Sequence, residues 1–317
     1  MKIGIIGSLG HLHYVEQVKE QHEFTAIASG GGEDISYPLT AFSGAKLYDS
    51  PDELIEKADI DLLVVNTYAD INYRFTANAL RRGIHVFAEK PLAISLEQLA
   101  EIESAYSEGK AQLGCMLALR GEGHFAAAKK AVEDGLIGEV RLISAQKSYK
   151  MGTRPDYYRQ NKLFGGLIPW VMIHAIDYIC YTTGLRCESV TSGASNIGNL
   201  GMDEMERSSA ALFKMENDVY ATITADYLRP AKAPTHEDDR LRIAGTQGVV
   251  EVRDGKAICI CADGVIELEK TATENIMQSF TDSIEKGTKS LCTAQDAIYA
   301  TKIAILAGMK NTDTKIN

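Results

Sequence analysis

The chain has 317 residues, 45% of them hydrophobic, and a formal net charge of −10 at pH 7. One hydrophobic core rarely accommodates this length, so we expect two domains. The acidic charge, with no long basic run, argues against nucleic-acid binding, and the apolar runs fall short of the roughly 20 residues that a membrane span needs, which leaves a small molecule as the expected partner.

The first 118 residues alternate strands with helices. The predicted strands are KIGIIG, FTAIAS, DIDLLVVNT, HVFA and AQLGCMLA, and the predicted helices include YVEQVKEQ, SPDELIEKA and NYRFTANALRRG. Ser50 with Glu53, and Ser95 with Gln98, have the spacing of a capping box at a helix start. The alternation is typical of a doubly wound parallel sheet, so we predict a nucleotide-binding type of α/β domain over residues 1–118.

After Arg120 the pattern changes to one helix, FAAAKKAVEDG, and a series of strands separated by short turns. The strands are EVRLISAQKSYK, SSAALFKM, VYATITADYL, LRIAG, VVEVR, AICIC and VIELE. Hairpin turns are predicted at Asn217-Asp218, Asp254-Gly255 and Asp263-Gly264. We therefore expect a second α/β domain over residues 119–317 with a large, open, mainly antiparallel sheet. Two helices end the chain and can pack back on the first domain.

An antiparallel sheet with helices on one face leaves its other face uncovered. Burying such a face between identical chains is a common solution, because it removes apolar surface from water. We therefore predict a homodimer or a homotetramer.

The six cysteines are scattered through apolar segments and lack paired C-x-x-C spacing. This pattern predicts neither a zinc site nor a disulfide framework. Reduced thiols, and an N-terminus that runs straight into a strand, favour a cytoplasmic protein without a metal.

A glycine turn follows the first predicted strand. The segment GIIGSLGHLH begins like a dinucleotide-binding turn, but the G-x-G-x-x-G pattern is incomplete, because Leu9 stands at its second glycine. Backbone N–H groups at the start of the next helix can still bind phosphate. A turn that only joins a strand to a helix is the alternative. The cofactor contacts predicted here are Gly7, Ser8, Leu9, Gly10 and His11.

The second strand ends at Ser29, where an acidic residue usually binds the adenosine ribose of NAD. A serine removes the charge that would repel the 2′-phosphate of NADP, but no arginine follows to bind that phosphate. Ser29 is therefore a predicted cofactor contact, and the choice between NAD and NADP stays open.

The segment HVFAEKPLA, residues 85–93, ends a predicted strand in a Glu-Lys-Pro triplet. In an open α/β sheet, ligands bind beyond the carboxyl ends of the strands, where Glu89 and Lys90 would project. Pro91 restricts Lys90 to extended conformations. An ammonium in this position can polarise a hydroxyl or carbonyl oxygen. A surface lysine before a loop-starting proline is the alternative interpretation.

Together these segments resemble the family of glucose-fructose oxidoreductase, inositol dehydrogenase and rhizopine-catabolism proteins, written Gfo/Idh/MocA. The resemblance extends over nearly the whole chain, and its most specific pieces are ALRRGIHVFAEKPLA and FGGLIPWVMIHAIDY, in this order. It implies a Rossmann domain followed by an α/β domain with an open antiparallel sheet. It also implies NAD(P)-dependent oxidation or reduction of a sugar, a polyol or a derivative.

The resemblance assigns roles to individual residues. Lys90 matches the family's active-site lysine, whose following proline peptide is often cis, and His174 matches its catalytic histidine, which can take a hydroxyl proton as the carbonyl forms. Asp177, three residues on in a helix, can orient the imidazole or bind a substrate hydroxyl. A core histidine inside WVMIHAIDYI is the alternative for His174. The cofactor contacts that the resemblance adds are Asn66, Thr67, Glu89 and Lys90.

Three positions depart from the family's pattern. Trp170 stands where many members have an aspartate, four residues before His174. An indole offers a stacking surface for a sugar ring and one N–H donor, so Trp170 is a predicted substrate contact. The loss of the carboxylate predicts a different substrate or the loss of the usual turnover. Tyr68 replaces the proline that usually follows Thr67, and Asn72 stands where a histidine is frequent.

The segment GTRPDYY, residues 152–158, adds Arg154, Tyr157 and Tyr158, which the resemblance places near cofactor and substrate. An arginine can bind a carboxylate through two parallel hydrogen bonds, so an acidic sugar is one candidate substrate. A solvated loop arginine is the alternative. In HEDDR, residues 236–240, adjacent carboxylates favour a solvated charge cluster over a metal site.

Three functional hypotheses follow. The first is an NAD(P)-dependent dehydrogenase that acts on a CH–OH group of a sugar or polyol. The second is a lyase or glycosidase-type enzyme that recycles a tightly bound cofactor. The third is a non-catalytic sensor of cofactor or sugar, which Trp170 and the incomplete glycine turn motivate.

Overall fold

The computed structural model describes residues 1–309 and 314–316, and the chain divides into two compact units. The first unit comprises residues 1–118 together with 275–301. The second comprises residues 119–274 together with the chain from residue 302 onward.

The first unit contains a six-stranded parallel sheet with the strand order β3-β2-β1-β4-β5-β6. Every residue of the central strand β4 is buried, as expected for a parallel sheet that is covered on both faces. The predicted doubly wound Rossmann sheet is therefore confirmed. Its strands are β1 (Lys2–Gly7), β2 (Glu23–Ala28), β3 (Lys46–Leu47), β4 (Leu62–Asn66), β5 (His85–Ala88) and β6 (Leu113–Cys115).

Five helices precede the second unit, namely α1 (His13–Glu16), α2 (Ser36–Ala41), α3 (Pro51–Lys57), α4 (Ala69–Arg81) and α5 (Leu96–Glu108). Helix α1 is a single turn, shorter than predicted, and a 3-10 turn follows at Lys19–Gln21. The buried residues Leu12, Val15 and Val18 are spaced by three, which suits a 3-10 turn better than an α-helix.

The two predicted capping boxes are confirmed at their N-caps. Ser50 Oγ accepts the Glu53 N–H at 3.1 Å, and Ser95 Oγ accepts the Gln98 N–H at 3.2 Å. In a standard capping box, the side chain three residues after the N-cap accepts the N–H of the N-cap residue. Here Gln98 instead accepts the N–H of Ile94, one residue before the N-cap Ser95, at 3.0 Å.

The second unit contains a nine-stranded sheet with the order β14-β13-β12-β11-β7-β10-β9-β8-β15. All pairs are antiparallel except β7 with β10, so the mainly antiparallel sheet is confirmed. Asp254 and Gly255 both have positive φ, as the predicted hairpin requires. The strands are β7 (Val140–Lys150), β8 (Cys187–Ser195), β9 (Ser208–Met215), β10 (Val219–Arg229), β11 (Glu237–Gly245), β12 (Val249–Arg253), β13 (Lys256–Cys261), β14 (Gly264–Glu267) and β15 (Thr314–Lys315).

Helices cover one face of this sheet. The Tyr178 hydroxyl donates to the Gln146 carbonyl of β7 at 2.9 Å, and its ring stacks on Phe125. These contacts fix the helices against the buried side of β7. The helices are α6 (Gly123–Glu133), α7 (Asn161–Phe164) and α8 (Ile173–Thr183), with a π turn at Ile168–Met172 directly before α8.

The helical run Asn161–Thr183 is long and apolar enough to cross a membrane by length and composition alone. However, 83% of its most apolar window is buried inside the protein, as is typical of a core helix.

The last helices are α9 (Ile276–Glu285) and α10 (Ala294–Gly308). In the first unit, Phe280 of α9 stacks on Phe87 of β5 with ring centroids 5.5 Å apart. Gly114 of β6 lies beneath this pair, and a Cβ there would come within 2.8 Å of both rings. The C-terminal segment therefore completes the core beside β5 and β6.

Candidate active site

The carboxyl edge of the first sheet collects most of the predicted cofactor residues. Asn66 ends β4, Thr67 follows it, and Glu89 and Lys90 follow β5. All four side chains are buried. Ligands of open α/β sheets bind at this edge, so the fold places these polar groups where a cofactor is expected.

Glu89 is only 1% exposed, and its carboxylate forms hydrogen bonds to several groups at this edge. Its carboxylate accepts the backbone N–H of His11 at 2.7 Å and the side-chain N–H of Asn66 at 3.2 Å, and it contacts His11 Nδ1 at 2.9 Å. Burial raises the pKa of this carboxyl, but the charge and hydrogen bond of His11 and the charge of Lys90 outweigh burial and lower the pKa of Glu89 to about 2.

Lys90 is 2% exposed, and its Nζ lies 3.9 Å from Glu89 Oε1. The Lys90–Pro91 peptide is cis, as the resemblance implies. Asn72 Nδ2 donates to the Glu89 carbonyl at 2.9 Å and to the Pro91 carbonyl at 3.3 Å. The asparagine that replaces the family's frequent histidine therefore fixes the backbone on both sides of the lysine.

The backbone N–H groups of Leu9, Gly10 and His11, which we predict to contact phosphate, donate to acceptors of the first unit in this structure. The Leu9 N–H donates to the Asn66 carbonyl at 2.9 Å, the Gly10 N–H to Asn66 Oδ1 at 2.6 Å, and the His11 N–H to Glu89. These internal bonds form because a buried carboxylate and a buried amide need donors, and the turn supplies them. Helix α1 is also too short to offer a useful dipole.

Two features of the edge nevertheless fit a dinucleotide. Gly7 has φ of +83°, and a Cβ there would lie 2.3 Å from the Asn66 carbonyl, so only glycine allows this close turn. Thr67 Oγ1 is buried and has no hydrogen-bond partner in the described part of the chain. A buried hydroxyl without a partner is unfavourable unless a ligand satisfies it.

Glu33 is a candidate cofactor residue that the sequence did not reveal. It folds back to the end of β2, where its carboxylate accepts the Gly31 N–H at 2.6 Å, the Gly30 N–H at 3.1 Å and the Ser29 hydroxyl at 3.1 Å. It is 7% exposed. The three glycines before it allow this return, and they are the signal that could have found it.

In the second unit, Asp177 of α8 forms a buried ion pair with Arg120. Arg120 Nε lies 3.0 Å from both carboxylate oxygens, and its Nη2 donates to Oδ1 at 2.7 Å. Asp177 is 1% exposed. The arginine thus fixes the carboxylate one helical turn from His174, which is the second residue of α8 and is 5% exposed.

Trp170 lies in the π turn before α8, and its indole N–H donates to the Tyr158 hydroxyl at 2.9 Å. The predicted donor to a substrate is therefore already used inside the unit, because a buried indole N–H needs an acceptor. Tyr158 also packs edge-on against Trp170 and Tyr227.

The HEDDR segment forms a charge cluster around a buried lysine. Lys147 Nζ is 2.6 Å from both Glu237 and Asp239, and Lys147 is 1% exposed. Burial raises the pKa of Asp239 to about 6, although Lys147 acts in the opposite direction.

Comparison with known proteins identifies the family. Residues 1–116 match the oxidoreductase family with an NAD-binding Rossmann fold, and residues 125–251 match the GFO/IDH/MocA C-terminal domain. A solved structure assigned as an oxidoreductase from Thermotoga maritima is 40% identical, with a TM-score of 0.94 over 98% of both chains. The chain belongs to the Gfo/Idh/MocA family of oxidoreductases.

Two curated relatives show the range of named Gfo/Idh/MocA members. Inositol 2-dehydrogenase of Rhizobium meliloti is 26% identical, over 80% of this chain and 79% of the relative. 1,5-Anhydro-D-fructose reductase of Ensifer adhaerens is 30% identical, over 48% of this chain and 49% of the relative. As a Gfo/Idh/MocA member, the protein is an oxidoreductase with a small-molecule substrate, and its cofactor is NAD or NADP.

The Gfo/Idh/MocA residues predicted from sequence divide between the units. The first unit holds Gly7, Ser8, Leu9, Gly10, His11, Ser29, Asn66, Thr67, Glu89 and Lys90. The second unit holds Arg154, Tyr157, Trp170, His174 and Asp177. Sequence reasoning missed Glu33, which folds back onto Ser29, Gly30 and Gly31. It also missed Lys147, whose partners Glu237 and Asp239 lie 90 and 92 positions away in the chain.

The depressed pKa of Glu89 predicts a specific pH dependence of stability. Because the folded pKa of about 2 lies below the ordinary value of 4.5, the carboxylate stabilises the fold above about pH 4.5. This contribution, on the order of 3 kcal/mol, is lost as the pH falls from 4.5 towards 2. Urea denaturation should therefore show Glu89→Gln less stable than wild type at pH 7, with a difference that shrinks in acid.

The matched control for this experiment is Glu56→Gln, at an exposed position of α3. It should leave the free energy of unfolding nearly unchanged at each pH. A difference between wild type and Glu89→Gln that stays constant from neutral pH into acid would contradict the prediction.

Proposed function

We propose that the protein is an NAD-dependent dehydrogenase that oxidises a CH–OH group of a sugar, a polyol or a sugar derivative. The observation that carries this proposal is the desolvated Lys90 ammonium beside Glu89 at the carboxyl end of β5. A lysine side chain is almost never fully buried unless its charge is paired. The named relatives, an inositol 2-dehydrogenase and an anhydrofructose reductase, support the substrate class.

In this proposal the chain's own residues handle the oxygen and the proton of the substrate. NAD, when bound, accepts or returns the hydride. Lys90 donates a hydrogen bond to the reacting oxygen, His174 accepts the hydroxyl proton, and Asp177 orients the site as the carboxylate partner of Arg120. Glu89 Oε1, 3.9 Å from Lys90 Nζ, compensates the buried charge of the lysine.

The missing aspartate at Trp170 alters this scheme without removing its essential groups. The indole serves Tyr158 as a donor, so it stabilises the second unit, and it supplies no proton acceptor to His174. Asp177 is then the carboxylate nearest in sequence to His174. No feature of the described residues favours the recycled-cofactor enzyme or the non-catalytic sensor.

For the cofactor we propose NAD over NADP, on the evidence of Glu33. A carboxylate at the end of β2 can accept hydrogen bonds from the adenosine ribose and repels a 2′-phosphate. In the described part of the chain, no arginine or lysine is paired with Glu33 to neutralise it. Ser29, which is bonded to Glu33, would contact the same ribose. Thr67 would bind at the nicotinamide end.

We also propose that the open face of the nine-stranded sheet joins identical chains into a homodimer or homotetramer. Strand alternation places Leu142, Leu212 and Tyr220 together on this face, and they are 50%, 46% and 41% exposed. Exposed apolar side chains grouped in this way are typical of an interface.

We also propose a cytoplasmic location, which the six free cysteine thiols support.

Substituting the two proposed catalytic groups should separate chemistry from cofactor binding. Lys90→Ala and His174→Ala should each lower kcat by roughly 100-fold or more, while the Kd for NADH changes only slightly. Turnover is followed as reduced nicotinamide formed from a panel of sugars and polyols. The exposed Lys110→Ala variant is the control and should keep wild-type turnover. Wild-type rates in both Ala variants would refute these roles.

The cofactor proposal predicts a clear preference. The wild type should bind NADH about 100-fold more tightly than NADPH, and Glu33→Gln should reduce this ratio to about 10 or less, because repulsion of the phosphate is lost. Nicotinamide fluorescence measures both Kd values. Asp34→Asn, the neighbouring exposed acid, is the matched control and should keep the wild-type ratio. Equal affinity for both nucleotides in the wild type would contradict the proposal.

The interface proposal predicts that Leu212→Glu converts the oligomer into monomers, because a charge would be buried within the interface. Light scattering at micromolar concentration measures the mass. Leu136→Glu, at an equally apolar exposed position away from this face, should leave the mass unchanged. A monomeric wild type would overturn the proposal.

A further inference from the structure

Arg154 is a half-buried cation without a carboxylate partner in the described part of the second unit. Its guanidinium carbon lies 4.5 Å from the ring centre of Tyr227 and 5.6 Å from that of Tyr158. Its Nη2 donates to the Lys150 carbonyl at 2.7 Å, and its Nε is buried without an acceptor. The side chain is thus held in one orientation, but its Nε–H group lacks a hydrogen-bond acceptor.

Most arginines of the same unit are paired with a carboxylate. Arg120 bonds Asp177 at 2.7 Å, Arg159 lies 3.0 Å from Asp156, and Arg240 lies 2.7 Å from Asp238. A cation that is partly removed from water is costly unless an anion compensates it. Arg207 shares the missing carboxylate and the buried Nε among the described residues, but Arg154 is held over the rings of Tyr227 and Tyr158, which orients its guanidinium for an anion from outside the chain.

The surroundings of Arg154 hold the guanidinium plane in place. Tyr227 is 1% exposed and Tyr158 is 5% exposed, so both rings are rigid supports. Tyr158 accepts the N–H of Trp170, in the turn before the helix of His174. Arg154 is therefore linked by two packed side chains to the element that carries the proposed proton acceptor.

The other charges near Arg154 do not replace the missing anion. Glu237 and Asp239 are both held by Lys147, at 2.6 Å each. Tyr149 stacks between this cluster and Tyr227, with its ring 4.8 Å from Lys147 Nζ and 6.2 Å from the Tyr227 ring. The two acids are thus committed to a different cation.

We propose that the physiological substrate carries a carboxylate and that Arg154 binds it, so that the enzyme acts on an aldonate or uronate rather than on a neutral sugar. This inference rests on the proposed dehydrogenase function. A single planar guanidinium fork matches a carboxylate through two parallel hydrogen bonds. A phosphate group usually takes several donors or a helix N-terminus, whereas the donor left without an acceptor here is the single guanidinium of Arg154.

The test uses matched pairs of probes, namely D-glucose with D-glucuronate, D-galactose with D-galacturonate, and D-glucitol with D-gluconate, plus a hexose phosphate. Formation of reduced nicotinamide reports turnover, and calorimetry in the presence of NADH reports binding independently of turnover. At least one acid should exceed its neutral partner in kcat/KM by about 10-fold or more in the wild type.

Arg154→Gln should lower kcat/KM for the acid by about 10- to 100-fold, mainly through KM, and change the neutral partner by less than about 2-fold. Arg154→Lys keeps the charge but not the fork, so it should fall between wild type and Arg154→Gln. Arg159→Gln, which removes a nearby exposed arginine with carboxylate partners, is the matched control and should behave like the wild type.

The two readouts separate this inference from the function on which it rests. Turnover of neutral sugars without binding or turnover of any acid would overturn the inference and leave the dehydrogenase intact. Binding of an acid that depends on Arg154, with no turnover of any probe, would support the inference and overturn the proposed function. Equal losses for acid and neutral partners in Arg154→Gln would show that Arg154 only stabilises its loop. A higher kcat/KM for the hexose phosphate than for the sugar acids would overturn the inference that the substrate carries a carboxylate.

Discussion

The buried carboxylate of Glu89 is the constraint on which the carboxyl edge of the first sheet depends. A carboxylate that is removed from water must be surrounded by donors or cations, and these come from three separate parts of the chain. His11 comes from the glycine turn, Asn66 from the end of β4, and Lys90 from the residue that follows. One desolvated group therefore fixes the turn after β1 and the position of the candidate catalytic lysine together.

The same constraint explains why the glycine turn departs from the usual dinucleotide pattern. Only glycine fits at position 10, because a Cβ there would lie 1.9 Å from Glu89 Oε2. In a standard turn, glycines make room for the phosphates of the ligand. Here the close approach is to a protein carboxylate, which leaves Glu33 and Thr67 as the groups at the two ends of the edge. In the proposed function, the groups that would recognise the cofactor are therefore Glu33 and Thr67, near the two ends of the dinucleotide.

Local signals predicted much of this fold, and long-range pairing explains the rest. The strand alternation predicted both sheets, and Ser50, Ser95 and the Asp254-Gly255 turn lie where local chemistry placed them. The bonds from the turn to Asn66 and Glu89 join residues 56 and 78 positions apart, and no periodic pattern predicts them. Glu33 was missed for a different reason, because its partners lie only two to four positions away and the return to them depends on the backbone conformation of three glycines. The Glu-Lys-Pro triplet was found because its position after a strand is itself a local signal.

The contact of α9 with the first sheet has a consequence for synthesis of the chain. Phe87 and Gly114 are translated early, whereas Phe280, which covers them, is translated more than a hundred residues later. The nascent first unit therefore leaves the ribosome with an aromatic surface open to water, and most of the second unit is made before that surface can close. Such a delay exposes apolar surface to aggregation. Folding of the N-terminal unit therefore depends on protection of this surface until Phe280 has been made.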